Sequence, residues 1–439
     1  MRKSVLATLF AGTFLTLNAH AIDLMQVYRE ALANDAPYAS ARAQLAAGQE
    51  KSTQGRAGLL PTIGVGGSYN RSDLDVTSLG TTTNRNVNSH NYAVSLSQPL
   101  FRVANWEQYQ QGKLSVAVSE AQFAQAQQDL IVRVSQAYFD VLASQDALAT
   151  VQAQKTAITE QLAAAKRNFE VGTTTITDTH EAQARYDLVV AQEFAAQNDL
   201  EIKRTALQQI IGKPAGELAS LRPGLKLTPP EPATADAWVQ SAEQQNYGVV
   251  GQQLALEIAQ REIKKSRAGH YPTVDLVASR SHNNQTGSAT SPAGSVSDQT
   301  SVGVQWNIPL FAGFAVDSRV REAIALEDKT RSDLENARRV AAQGARQAFL
   351  GVNAGLAQVR ALEAAEISST SALDSNRLGY QVGVRINIDV LNAQQQLYST
   401  RRDLAKARYD TIMNGLRLKS AAGTLKEEDL AQVNALLQQ

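Results

Sequence analysis

The chain is built twice. Ala57-Gly58-Leu59-Leu60-Pro61-Thr62 returns as Ala268-Gly269-His270-Tyr271-Pro272-Thr273, with the proline 211 residues further on. Gln98-Pro99-Leu100-Phe101 returns as Ile308-Pro309-Leu310-Phe311 at a spacing of 210, and Val171-Gly172 and Ile210-Ile211-Gly212 return as Val382-Gly383 and Ala421-Ala422-Gly423 at 211. Landmarks at almost one spacing require that any fold given to residues 22–212 be open to residues 237–423 as well. The 439 residues are therefore one duplicated unit and not several independent domains. The copies are joined by a linker, 213–236, in which Pro214, Pro223, Pro229, Pro230 and Pro232 forbid a continuous helix. A short tail, 424–439, follows the second copy.

Within each copy the hydrophobic period changes. A helical opening, interrupted at Pro37 in the first copy, gives way after Pro61 or Pro272 to a period of two. Ile63, Val65, Gly67 and Tyr69 alternate with small and polar residues, as do Tyr92, Val94 and Leu96. In the second copy Val302, Val304, Trp306, Ile308 and Leu310 face one way and Ser301, Gly303, Gln305 and Asn307 the other. The expected strand pairs are 62–72 with 90–101 and 273–283 with 300–311. Each strand is about ten residues, the length that crosses a bilayer when tilted. The polar stretches between them, Asp73–Ser89 and Asn283–Gln299, are expected to be exposed loops.

After each strand pair the period becomes helical and stays so, over 105–169 and 314–380. At 1.5 Å per residue these helices are about 100 Å long, which only a coiled coil or bundle sustains. Leu130, Val134, Ala137, Val141, Ser144, Leu148, Val151, Lys155, Ile158, Leu162, Ala165 and Phe169 fall in one 3-4 register. The equivalent seam of the second copy is broken by Gly355, Glu366, Ser369 and Asn376. Shorter helices run back beyond the Val-Gly turns, completing hairpins 105–211 and 314–422. Two short helices stacked end to end, 38–57 with 176–211 and 247–268 with 387–422, match one long helix, so the linker and the tail fall near mid-length.

Four strands do not close a transmembrane barrel, and an open edge in lipid leaves backbone groups unpaired. The barrel is therefore expected to be shared between copies; three chains give twelve strands around a wet lumen, although two or four satisfy the same arithmetic. Met1–Ala21, with Arg2 and Lys3, an apolar run and Ala19-His20-Ala21, has the pattern of a secretory signal cleaved before Ile22. Forty-two basic against 42 acidic residues leave no electrostatic footprint for nucleic acid. The absence of cysteine removes thiolate chemistry, cysteine-ligated metals and a lipid anchor through an N-terminal cysteine. The five histidines have no metal-ligand spacing, and there is no phosphate loop or nucleophile elbow, so neither an enzyme nor a cofactor is expected.

The duplicated unit, the Ala-Gly-x-x-Pro-Thr openings and Tyr380-Gln381-Val382-Gly383-Val384-Arg385-Ile386-Asn387-Ile388-Asp389-Val390-Leu391-Asn392-Ala393 resemble the TolC-like outer membrane efflux and secretion channels over essentially the whole mature chain. So do Ala407-Arg408-Tyr409 and Lys419-Ser420-Ala421-Ala422-Gly423-Thr424-Leu425. The resemblance implies a mainly helical chain with a membrane β part, forming a homotrimer with a twelve-stranded barrel in the outer membrane and a helical barrel in the periplasm. It further implies a periplasmic adapter and an inner-membrane ABC or proton-driven transporter as partners, in type I protein secretion, multidrug efflux or both. By the same resemblance Tyr380 and Arg385 occupy the positions of a periplasmic gate latch, with Thr177 and Asp178 as partners on the neighbouring hairpin. Read without it, Asp178 and Asp389 favour helix N-termini, with Thr177 or Asn387 as caps, and Tyr380 packs its own seam. Asp389 matches an acidic ring at the pore constriction; the position three residues on, often Asp in the family, is Asn392, which implies a milder preference for cations. The competing classes are a periplasmic coiled-coil adapter and a structural or adhesin protein without a pore; neither explains the duplicated strand pairs.

Overall fold

The computed structural model describes residues 21–438, so the expected signal segment lies, but for Ala21, outside the described residues. The first copy contains helices α1 (Leu24–Asn34) and α2 (Ala36–Ala57), strands β1 (Thr62–Ser78) and β2 (Thr81–Phe101), and helices α3 (Val103–Glu170) and α4 (Ile176–Ile211). The second repeats the order with α5 (Ala235–Gln245), α6 (Tyr247–Arg267), β3 (Thr273–Gln285), β4 (Ser295–Asn307), α7 (Ala315–Gln381) and α8 (Asn387–Ala421). Helix α9 (Glu427–Asn434) lies in the tail. The break in the first opening falls at Asp35, before Pro37: the Asp35 carboxylate accepts from the Tyr38 N–H at 2.9 Å and so starts a new helix, with the proline where its missing N–H costs nothing.

The strands form one antiparallel sheet in the order β1-β2-β3-β4. The expected loop 73–89 is instead strand. Residues 73–78 pair with 81–86, and the hairpin turns on Leu79 and Gly80, whose φ angles of 52° and 78° match a two-residue type I′ turn. The face that carries Ile63, Val65 and Tyr69 turns polar there, at Arg71, Asp73 and Asp75, and the apolar Leu74 and Val76 lie on the opposite face, so the alternation is out of phase while the backbone ladder continues. The second expected loop shrinks to 286–294, and β4 stops at Asn307, before Pro309. Arg102 on the approach to α3 forms a bidentate pair with Asp275 of β3, tying the sheet to the long helices.

Helices α3 and α7, of 68 and 67 residues, carry the length of the molecule. Most positions of the first seam are buried or half-buried, and Lys155, one of its two polar interruptions, reaches Glu193 of α4 at 2.6 Å. That hydrogen bond holds the ammonium above the usual lysine range. The second seam is repaired in a similar way: Glu366 accepts from Arg401 at 3.0 Å, and Gly355 lets Thr411 of α8 approach. The largest apolar core lies at mid-length, where Leu24, Val27 and Ala31 of α1, Leu130, Val134 and Tyr138 of α3, Leu218 of the linker, and Leu430 and Leu437 of the tail meet. The Tyr138 hydroxyl donates to the carbonyls of Ile22 at 3.1 Å and Ala219 at 2.8 Å, and burial pushes its pKa up. Linker and tail thus belt the helices at one level.

Candidate gate and membrane face

Strand register sorts the sheet into two faces. Ile63, Leu96, Ala278 and Val302 lie in one cross-strand row, and Val65 and Val94 lie in the next, which Arg280 and Thr300 complete. Tyr92 stacks on His282 with ring centroids 4.9 Å apart, and Tyr69 on His90 at 5.6 Å, on the same face. The other face holds Gly64, Ser95, Ser279 and Ser301 in one row and Ser68, Asn91, Asn283 and Ser297 in another. Val65 is 80% exposed, Val302 72% and Trp306 69%, so the apolar face has no cover within the chain. An apolar band with aromatics at both of its ends, backed by small polar residues, suits lipid on one side and water on the other.

At the opposite end of the molecule the helical hairpins α3/α4 and α7/α8 turn at Gly172 and Gly383, with φ of 76° and 80°. Here Tyr380 accepts a long hydrogen bond, 3.4 Å, from Asn168 of α3. Arg385 lies against Gly379 and pairs with Asp389 one turn on, at 3.7 Å. Thr177 is exposed; Asp178 is half-buried, and its backbone carbonyl accepts from the Asn387 amide at 3.2 Å. Within one chain the structure brings Tyr380 to Asn168 and Arg385 to Asp389, and does not bring the side chains of Thr177 and Asp178 onto either.

Besides the Tyr380–Asn168 bond, the links that join the two hairpins run largely through residues with no expected role between hairpins. Asn387 is fully buried; besides donating to Asp178 it accepts from Gln161 of α3. Leu391, one turn on, inserts among Val151, Ile158, Leu162, Ala182 and Val189 of the first hairpin. Arg185 of α4 donates to Asn392 at 2.9 Å and to Gln395. Asn392, the departure from the family pattern, is therefore held by an arginine. A polar Asn387 in the row Asn387, Val390, Leu391, Gln394 was the available signal: a buried polar group on an apolar helix face needs a partner.

The sequence model described as outer membrane efflux protein matches residues 27–213 and 238–424, one match for each copy. The chain belongs to the outer membrane efflux protein family. It is 34% identical over 421 residues to the outer membrane protein TolC of Vibrio cholerae serotype O1, covering 94% of this chain and 93% of that one. It is also 34% identical to the proteases secretion protein PrtF of Dickeya chrysanthemi, covering 100% of this chain and 96% of that one. Its fold is shared with the outer membrane protein VceC of Vibrio cholerae, at a TM-score of 0.78 and 19% identity over 91% of this chain and 96% of that one. As a TolC-like family member this protein is a channel of the bacterial outer membrane serving secretion and efflux, with its helices reaching into the periplasm. None of its described helices is long and apolar enough to cross a membrane.

Proposed function

We propose that the family member works as a homotrimer whose twelve strands close one barrel, receiving cargo from an inner-membrane ABC or proton-driven transporter through a periplasmic adapter. The observation that carries this is the four-stranded sheet, apolar and uncovered on one face and open at both edges, β1 and β4. An open edge in hydrocarbon costs several kcal/mol per unpaired group, and copies of the chain supply the missing pairing. The helical tip is the gate. Tyr380 and Arg385 latch it, with Thr177 and Asp178 as partners contributed by a neighbouring hairpin, and Asp389 forms the acidic ring of the constriction. Arg385 beside Asp389, and the uncharged Asn392, support a ring with only a mild preference for cations.

Likeness to PrtF, a proteases secretion protein, favours a polypeptide cargo in a type I route. Cells lacking the gene should lose a secreted protein from the medium and regain it on complementation. Unchanged secretion together with greater sensitivity to toxic amphiphiles would replace that cargo by small molecules.

A further inference from the structure

The chain's internal symmetry fixes how adjoining copies pair. The two hairpins are superimposable in register: adding 211 to β1 and 210 to β2 turns the pair Thr62–Ser97 into Thr273–Asn307, which is the pairing observed between β3 and β4. Between the hairpins, β2 and β3 pair with Tyr92 opposite His282, Val94 opposite Arg280 and Leu96 opposite Ala278. A barrel closed by copies of this chain repeats that junction with β4 in the role of β2 and β1 in the role of β3. Resting on the shared barrel proposed above, we infer that β4 pairs antiparallel with β1 of the partner subunit so that Val302 faces Arg71 of the partner subunit, Val304 faces Tyr69 of the partner subunit and Trp306 faces Gly67 of the partner subunit.

Strand lengths, which did not enter that derivation, agree with it. In this register Ser295, the first residue of β4, meets Ser78 of the partner subunit, the last residue of β1. All 13 residues of β4 are then paired, and the 17-residue β1, longer than the 13-residue β3 it duplicates, gains a reason for its extension. The segment 73–78 is the far part of the edge that covers β4. Faces agree as well: Val302, Val304 and Trp306 share the apolar face, as do Tyr69, Gly67 and Arg71. A slip of one residue would turn one apolar row into the lumen. A slip of two toward the β1 turn keeps the faces but leaves β4 overhanging by two residues; a slip of two the other way keeps β4 covered but leaves Thr77 and Ser78 of the partner subunit without a partner. The one unfavourable pair, Asp298 opposite Asp75 of the partner subunit, lies at the water-exposed end of the hairpins, where screening limits its cost.

The sequence has no cysteine, so introduced thiols meet only one another. Neighbouring cross-strand pairs alternate between hydrogen-bonded and closer non-bonded geometry, so two double variants are made in the full-length protein: Ser301→Cys with Ser72→Cys, and Val302→Cys with Arg71→Cys. Ser301→Cys with Asn70→Cys and Ser301→Cys with Leu74→Cys report slips of two in either direction. A slip of two moves a partner by about 6.8 Å along the strand, beyond what a disulfide spans. Mild oxidation of the purified oligomer should cross-link at least one in-register variant about tenfold more than either slipped one. Preferential cross-linking of a slipped variant overturns the register while leaving the shared barrel intact. Equal or absent cross-linking in all four variants, with oligomers present on gels, also overturns it; absence of oligomers in the unsubstituted protein overturns the shared barrel itself.

Discussion

Replacing Asn387 by alanine should open the tip. The side chain is fully buried between hairpins, accepting from Gln161 of α3 and donating to the Asp178 carbonyl of α4. Its removal deletes both bonds and strands the Gln161 amide, at about 1–3 kcal/mol for a buried group left unpaired. The backbone is spared, since alanine favours a helix more than asparagine does. The loss therefore falls on the contact between hairpins and leaves each hairpin intact, with Leu391 as the main remaining apolar anchor. In the proposed trimer three copies would multiply the bias toward the open state, and the open population should rise by about tenfold per subunit for each 1.4 kcal/mol lost. Single-channel recordings should show a several-fold larger step for Asn387→Ala than for the unsubstituted protein. Asn387→Asp should fall between them, since it keeps the acceptor for Gln161 and loses the donor to Asp178. Steps unchanged in Asn387→Ala would remove this residue from the closed state.

The largest loss of stability should come from Tyr138→Ala. The ring is 0% exposed and meets Phe139 edge-on at 5.7 Å, and its hydroxyl satisfies two carbonyls, one on the chain leading into α1 and one in the linker. Truncation of a buried aromatic costs about 3–5 kcal/mol. Tyr138→Phe, which keeps the packing and frees only the carbonyl contacts, should cost about 1–2 kcal/mol. Denaturant unfolding in detergent should order the proteins as unsubstituted, Tyr138→Phe, Tyr138→Ala. The linker should become accessible to protease first, because Tyr138 holds it against α3. Equal unfolding midpoints for all three would mean that the mid-length core does not secure the linker.

Much of this architecture was legible because it is periodic. The repeat landmarks, the Val-Gly turns and the 3-4 seam placed the hairpins to within a residue or two, since a helix of about 100 Å cannot hide its period. The strands were legible only where one face is apolar. From Asp73 to Asn86 the outer face turns polar and the few apolar residues, Leu74 and Val76, change face, so the alternation falls out of phase while the ladder continues, and the turn signal was a single Gly80 beside Leu79. The tip was less readable still. The Tyr380 and Arg385 positions came from resemblance, and Tyr380 does reach Asn168 of the other hairpin, but the further ties are made by residues 161, 178, 185, 387, 392 and 395, far apart in sequence and chemically ordinary. Their pairing depends on the relative rotation of two hairpins, which no pattern within one hairpin encodes. Within one hairpin, the signal was the pair of polar residues, Asn387 and Gln394, on the face of α8 that also carries Val390 and Leu391.

Copies of this chain are proposed to close one water-filled barrel. The most direct measurement combines gel analysis of unboiled purified protein with its insertion into a planar lipid bilayer. An oligomer that persists until heated is expected, with uniform conductance steps from that band alone. A protein that remains monomeric and gives no steps at any voltage would contradict it.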